Sequence, residues 1–295
     1  MSSINDIIKS AVNNVQKSQK NFDVEEWARQ KKHDREYAYQ LQDDMAKMIA
    51  EYGGKYKLYL DVQSKFPNYS VGNALLVMAQ NPQATELRDA ESWKKDKIFF
   101  KGNPEKIIIL EPSNVYTRED GTEVQGYDAK RVYDISDMNV KRKINSVPYT
   151  QESVLKGILS MSPVKIEVVE DTFDKKLVSF NANKRIIEVL DRAEVPDIIQ
   201  GLTREIASIH LNTFANTELN NFKNKSVAYM ISKKYSIPTD SINIDKIPNE
   251  LREMTPQEIK SELSGMSECY QILAEGIDRN LDIEPKTKSH REYER

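Results

Sequence analysis

Cysteine is almost absent: Cys269 is the only one in 295 residues. A single thiol excludes an internal disulfide and any cysteine-rich zinc site, and it fits a reducing compartment. Histidine is scarce as well, with three in the chain. Long apolar runs are missing: no stretch approaches the roughly 18 residues needed to cross a bilayer. The residues after Met1 lack the basic-then-apolar order of a secretory signal. A cytoplasmic protein without membrane contact is therefore expected. An excess of positive charge is also lacking, since 43 Lys and Arg stand against 46 Asp and Glu, a formal net charge of -3. That argues against a generic polyanion binder, so a nucleic-acid partner requires cations concentrated in one place. No G-x-G-x-x-G, P-loop or G-x-S-x-G motif occurs.

What is present is a polar chain with 14 Tyr, 8 Phe and 2 Trp, enough for folded cores, and a length that suits about two domains. Residues 4–60 read as helix, with no proline before Pro67 and a break at Gly53-Gly54. The dense charge from Gln16 to Asp44 marks a solvated helix face or arm. A short apolar helix follows Asn68 or Ser70, from Val71 to Ala79, and stops at Asn81-Pro82. Strands are expected at Lys106–Leu110, ended by Pro112, and at Tyr127–Ile135, with a hairpin turn at Glu119-Asp120-Gly121-Thr122. Val140–Gln151 is the candidate linker.

Beyond it the pattern predicts a helix at Gln151–Leu159 and a half-buried strand with Val164, Ile166 and Val168 on one face. Strands at Leu177–Phe180 and Arg185–Leu190 come next, then helices at Pro196–Leu211 and Asn224–Tyr235. Thr255, Pro256 and Glu258 form a helix start. After it Ile259, Leu263, Met266, Tyr270, Leu273 and Ile277 repeat at helical spacing, a stripe suited to docking on the body or to pairing with another helix. The tail after Leu281 is expected to fray. The fold class is α+β. Its parts are a helical N-terminal arm (1–44), a small mixed α/β domain (45–140), a second domain (150–250) and a C-terminal amphipathic helix (255–280).

Cations are concentrated between Trp93 and Lys106. Lys94, Lys95, Lys97, Lys101 and Lys106 stand there against Asp96 and Glu105, interleaved with Trp93, Phe99 and Phe100. Cations following phosphates and rings stacking on bases make a single-strand binding surface. An amphipathic strand with its rings in the core gives the same composition.

The string Asn68-Tyr69-Ser70-Val71-Gly72-Asn73 through Gln80-Asn81-Pro82 resembles the N-terminal domain of ArdC-type antirestriction proteins. In that family a Tyr-Ser-x-x-Asn helix start leads to a Gln-x-Pro stop. A Trp-Lys-Lys loop, a Lys-Gly turn, an Ile-rich strand ending in Pro and an aromatic-Asp-Ile-Ser closure follow. Here these are Trp93-Lys94-Lys95, Lys101-Gly102, Ile107 to Pro112 and Tyr133-Asp134-Ile135-Ser136, in order over about residues 45–137. Phe100 to Pro104 departs from the family's more basic, glycine-rich turn. The resemblance implies sequence-nonspecific binding of single-stranded DNA. It places Tyr69, Ser70 and Asn73 at the helix start, and Trp93, Lys94, Lys95 and Lys101 in the loop.

The same resemblance implies a second, zincin-like domain related to the ImmA/IrrE metallopeptidases, whose active helix holds H-E-x-x-H. Two His one turn apart reach the metal, and the Glu polarises its water. The matching helix here keeps Glu205 but has Arg204 and Ser208 at the histidine positions. Arginine does not deprotonate, and a serine hydroxyl is a poor zinc ligand. On a helical wheel Ile199, Leu202, Ile206 and Ile209 make one apolar face, with Arg204 and Ser208 opposite it. His210 lies about 140° from Glu205, too far to share a metal, and reads as a packed or partly exposed histidine. Lys223, Asn224 and Lys225 precede Ser226-Val227-Ala228-Tyr229, where the family has its acidic ligand. Glu205 is thus expected to be vestigial, with no catalytic residue, no metal and no cofactor. Cys269 is not expected to act as a nucleophile.

Three functions follow, the first the expected one. It is single-stranded DNA binding by an antirestriction-like protein of a plasmid, phage or conjugative element. The second is a protein-interaction role, inhibiting a host defence nuclease, with a host or mobile-element protein as partner. The third, an active zinc protease, is opposed by the missing ligands.

Overall fold

The computed structural model describes residues 24–142, 149–281 and 293–294. The expected helical start at 4–23, most of the linker and the tail after Leu281 lie outside the described residues.

The first helix, α1 (Val24–Glu51), carries the charged run on its outer face. Its inner face buries Asp34, Ala38, Gln42, Ala46 and Ile49, at spacings of four and three. It stops at Tyr52, which is extended, and α2 (Gly53–Lys65) begins. The break is sited by packing: a Cβ at Gly53 would lie 1.9 Å from the Asp245 carbonyl oxygen. Next comes α3 (Val71–Gln80), capped by Ser70, whose Oγ accepts from the Asn73 N–H.

An antiparallel sheet follows, ordered β1-β3-β2. It contains β1 (Leu87–Arg88), β2 (Ile107–Thr117) and β3 (Glu123–Asp134), with α4 (Ala90–Lys95) between β1 and β2. Gly121, at φ 82°, turns the hairpin where a turn was expected. Both strands outrun the expectation, and Pro112 does not end β2. Ile107 pairs with Val132 and Glu111 with Asp128, and the register slips only between Pro112 and Val115. The N–H groups of Ile108 and Leu110 face the outer edge of β2, where α3 side chains accept them. By alternation Pro112 presents its missing N–H to that same edge, so the ladder to β3 loses no donor.

After β4 (Lys141–Arg142), which pairs with β8 (Tyr293–Glu294), the chain forms α5 (Gln151–Ser160). A second sheet, ordered β5-β7-β6, contains β5 (Lys165–Val169), β6 (Val178–Asn181) and β7 (Ile186–Leu190), with β5 parallel to β7. The expected alternation in β5 fails at Val168, which is 71% exposed. β5 is an edge strand, while central β7 is buried throughout. Then come α6 (Val195–His210), α7 (Glu218–Lys234), α8 (Asn249–Glu253) and α9 (Pro256–Asn280). The Thr255–Glu258 capping box is formed.

The α9 stripe docks on the body: Ile259, Leu263, Met266, Tyr270, Leu273 and Ile277 are all buried. One hydrophobic cluster takes in Ile49, Leu75 and Ile107 together with Ile187, Leu202, Met230 and Leu273, so the core is continuous past the candidate linker. Polar bolts cross it. The Tyr56 hydroxyl lies 2.8 Å from Ser226 Oγ, the Tyr229 hydroxyl donates to Asp61 at 2.8 Å, and the Tyr270 hydroxyl donates to the Ser64 carbonyl at 2.8 Å. Among the described residues no helix is long and apolar enough to cross a membrane.

Candidate functional site

Two side chains seat α3 on the outer edge of β2. Asn73 Nδ2 donates to the Leu110 carbonyl at 2.8 Å, and Asn73 Oδ1 accepts from the Leu110 N–H at 2.9 Å. Gln80 does the same for Ile108, at 2.8 and 2.9 Å. Of the helix-start residues assigned to DNA, Ser70 thus serves as a cap, and both hydrogen-bonding ends of the Asn73 amide are engaged by Leu110. Tyr69 is half-buried with its ring stacked on Phe66, centroids 5.1 Å apart. Burial first, then the Glu111 carboxylate, pushes its hydroxyl above the usual tyrosine range. Gln80 entered the sequence reading only as part of the helix stop, although its spacing of seven from Asn73 puts both amides on one face of α3.

The lysine-rich stretch starts on α4. Asp89 caps this helix by accepting from the Ser92 N–H at 2.7 Å. The helix ends at Lys95 with Asp96 as its C-cap, and Lys97 beyond it adopts φ 60°, so that the Ile98 N–H returns to the Trp93 carbonyl at 3.0 Å. This geometry turns Trp93 inward. The indole is 1% exposed, lies against Ile98, Ile135 and Met138, and donates Nε1–H to the Tyr133 carbonyl at 3.1 Å. The expectation that Trp93 stacks on a base is therefore overturned: the ring that looked like a binding group is the plug of a small core.

The rest of the stretch does face solvent. Lys94, Lys95, Lys97, Lys101 and Lys106 are exposed, and so are Phe99, at 60%, and Phe100, at 38%. The loop carrying the two rings is braced. The Phe99 carbonyl accepts from the Asn139 N–H at 2.7 Å, and the Lys101 N–H donates to the Asp137 carbonyl at 3.0 Å. Phe100 meets Tyr133 edge-on at 4.9 Å. Asp96 is neutralised by Arg88 at 2.6 Å, which leaves Glu105 as the exposed carboxylate among the lysines. None of the five lysines forms an ion pair among the described residues.

Asp134, in the aromatic-Asp-Ile-Ser closure, is 2% exposed. It accepts from the N–H groups of Thr85 at 2.7 Å, Glu86 at 3.0 Å and Ser136 at 2.9 Å. Burial alone would raise its pKa. The hydrogen bonds from these N–H groups outweigh burial and hold it below the usual carboxylate range.

In the second unit, Arg204 of α6 occupies the position where the resemblance leads one to expect a first metal-binding histidine. Its Nη2 donates to the Val178 carbonyl at 3.2 Å and its Nε to Glu205 at 3.1 Å. Ser208 Oγ donates to the Glu205 carbonyl at 2.8 Å. The helical wheel placed Ser208 opposite the apolar face, yet it is buried, because α6 is covered by α7 as well as by the sheet. His210 is exposed at the end of α6. Of the two lysines expected near the site, Lys223 pairs with Glu262 on α9. Asn224 is the inward residue, 4% exposed, accepting from the Thr213 hydroxyl at 2.8 Å. Glu218 pairs with Lys246 at 2.8 Å. No cluster of three His, Cys, Asp or Glu suited to a metal occurs among the described residues. Cys269 is buried, which pushes its thiol up to about 12.

No protein-family model and no curated protein sequence matches the chain. Solved structures of an antirestriction protein are among those similar to it. The Mn(II)-bound crystal structure of the antirestriction protein ArdC from plasmid R388 superposes with a TM-score of 0.49 and 9% identity, over 73% of this chain and 86% of that one. The metal-free structure of the same protein gives 0.46 and 10%, over 72% and 85%.

Proposed function

We propose that this chain binds unpaired DNA without regard to sequence, through the lysine face of residues 94–106. We further propose that it does so as an antirestriction-type protein of a mobile element. Five exposed lysines without ion pairs, around two exposed phenylalanine rings on a braced loop, carry this reading. The ammonium groups match a phosphate backbone, and Phe99 and Phe100 supply the stacking that Trp93 does not. A net charge of -3 for the whole chain makes the local concentration of cations the feature that selects the ligand.

The second unit, in the same proposal, performs no peptidase chemistry. Supporting this are the Arg204 guanidinium bound to Val178 and Glu205, the Ser208 hydroxyl turned back onto its own helix, and the neutral Asn224, joined through the Thr213 hydroxyl to the Ser208 carbonyl. A guanidinium at the first ligand position would repel a cation.

The test is anisotropy of labelled oligo-dT at low salt, for wild type and for Lys94→Glu/Lys95→Glu/Lys101→Glu. The expected result is binding that prefers single strand to duplex and collapses in the variant. Equal affinity of variant and wild type removes the proposal.

A further inference from the structure

A second surface that combines exposed rings with cations, here ion-paired ones, lies on α1. Trp27, Lys31, Arg35 and Tyr39 recur every four residues along one face of the helix. Where α1 crosses β3 a cleft of about 460 Å³ opens, lined by Trp27, Gln30, Lys31 and Asp34 from the helix and by Ala129 and Arg131 from the strand. That volume is within the range of small-ligand sites, about 300–1,000 Å³. Trp27 is 48% exposed, and the Lys31 ammonium lies 4.8 Å from its ring centroid.

The polar floor of the cleft is built. Asp34 is 6% exposed and takes Arg131 Nη2 at 2.7 Å and Nε at 3.2 Å on one oxygen, and Gln30 Nε2 at 2.6 Å on the other. The carboxylate therefore fixes the guanidinium and the amide, and the Arg131 charge offsets its own. Glu26 at the rim and Asp128, 3.9 Å from Lys31 and 3.7 Å from Arg35, are the nearby acids.

The cleft is continuous with the lysine face. Phe100 touches Tyr133. Arg131 lies two residues back on the same side of β3, about 7 Å along the strand. Lys106 is close enough to Asp34 for its charge to favour the carboxylate. We propose, resting on the DNA reading above, that this cleft takes one unpaired base of the same bound strand. The base lies against the Trp27 ring, with the backbone passing Lys31, Arg131 and Lys106. Ring, cations and a rigid amide suit a nucleobase of any identity, because every base offers a flat face.

The chain has two tryptophans, and Trp93 is sealed, so Trp27 is the natural reporter. The experiment pairs intrinsic fluorescence with anisotropy of labelled oligo-dT, in wild type, Trp27→Ala, Trp27→Tyr and Trp93→Phe, with thermal melts as the folding control. Saturable quenching is expected in wild type and in Trp93→Phe. Affinity should fall about five- to 150-fold in Trp27→Ala and recover in Trp27→Tyr. Undiminished binding by Trp27→Ala, or quenching that originates from Trp93, overturns the cleft while leaving the lysine face in place. Absence of anisotropy change in wild type at low salt overturns both.

Discussion

Asn73 gives both ends of its amide to one residue, Leu110, accepting its N–H and donating to its carbonyl. A side chain thereby does the work of the neighbouring strand that β2 lacks on its outer edge, and Gln80 repeats the device at Ile108. Removing one amide leaves two backbone groups of a nearly buried residue without partners, a loss of about 1–3 kcal/mol for each group. Asn73→Ala and Gln80→Ala should each lower the urea midpoint by a corresponding amount. The two sites are about 10 Å apart along the helix, so the double variant should show near-additive losses. Oligo-dT affinity of the folded variants should stay within about twofold of wild type. A large affinity loss with unchanged stability would assign Asn73 to the DNA instead.

The lysine face makes a quantitative expectation about salt. Each neutralised phosphate of a single strand contributes about -0.7 to the slope of log K against log salt. Five engaged lysines therefore give a slope near -3.5. Single Lys→Ala changes at 94, 95, 97, 101 or 106 should each reduce it by about 0.7, alike for oligo-dT and mixed sequence. Titrations between about 50 and 200 mM salt measure this, and a slope near zero would contradict the assigned surface.

The sequence exposed most elements because their ends carry local chemistry. Ser70, Thr255 with Glu258, and the Asp120-Gly121 turn announce themselves without tertiary information. It failed where neighbours decide the outcome. Pro112 looked like a strand end because nothing local reveals that its nitrogen faces an edge needing no ladder donor. Ser208 looked solvated because a helical wheel assumes one covered face, and α6 has two. Trp93 looked like a stacking platform because composition does not say which way a ring turns. That depended on the left-handed Lys97 and the Tyr133 carbonyl, both set by the fold. The motif residues Asn73, Gln80, Trp93, Asp134 and Ser226 share a property: each ties one element to another. Such motifs report architecture, while the exposed lysines and phenylalanines that surround them carry the candidate chemistry.

Helix α6 yields an expectation about metal. With Arg204 and Ser208 at the ligand positions and His210 exposed beyond them, purified protein should hold far less than one zinc per chain. Its stability and its DNA binding should be indifferent to a chelator. Elemental analysis and melts with and without chelator check this. Stoichiometric zinc that disappears in His210→Ala or Glu218→Ala would show that other residues had assembled a site.

Acid should loosen the first sheet through its depressed carboxylates. Asp89 sits at about 2, held there by the Ser92 backbone N–H and by the Lys130 ammonium, and Asp134 lies below the usual range for the reasons given above. A folded-state pKa below the unfolded value of about 3.9 means that the unfolded chain binds the proton more tightly. The stabilisation is then complete well above pH 4 and is lost as pH falls through the folded values. Unfolding free energy measured in urea should be flat from about pH 7 to 5 and should decline from about pH 4 towards 2. Asp134→Asn keeps the shape but replaces one acceptor oxygen by a donor, facing an N–H. It should be less stable than wild type at pH 7, and the difference should shrink as pH falls towards 2, because acid removes from the wild type what the substitution has already removed. A gap that stays constant down to pH 2 would mean that the Asp134 charge contributes nothing to holding the Thr85–Glu86 segment against the end of β3.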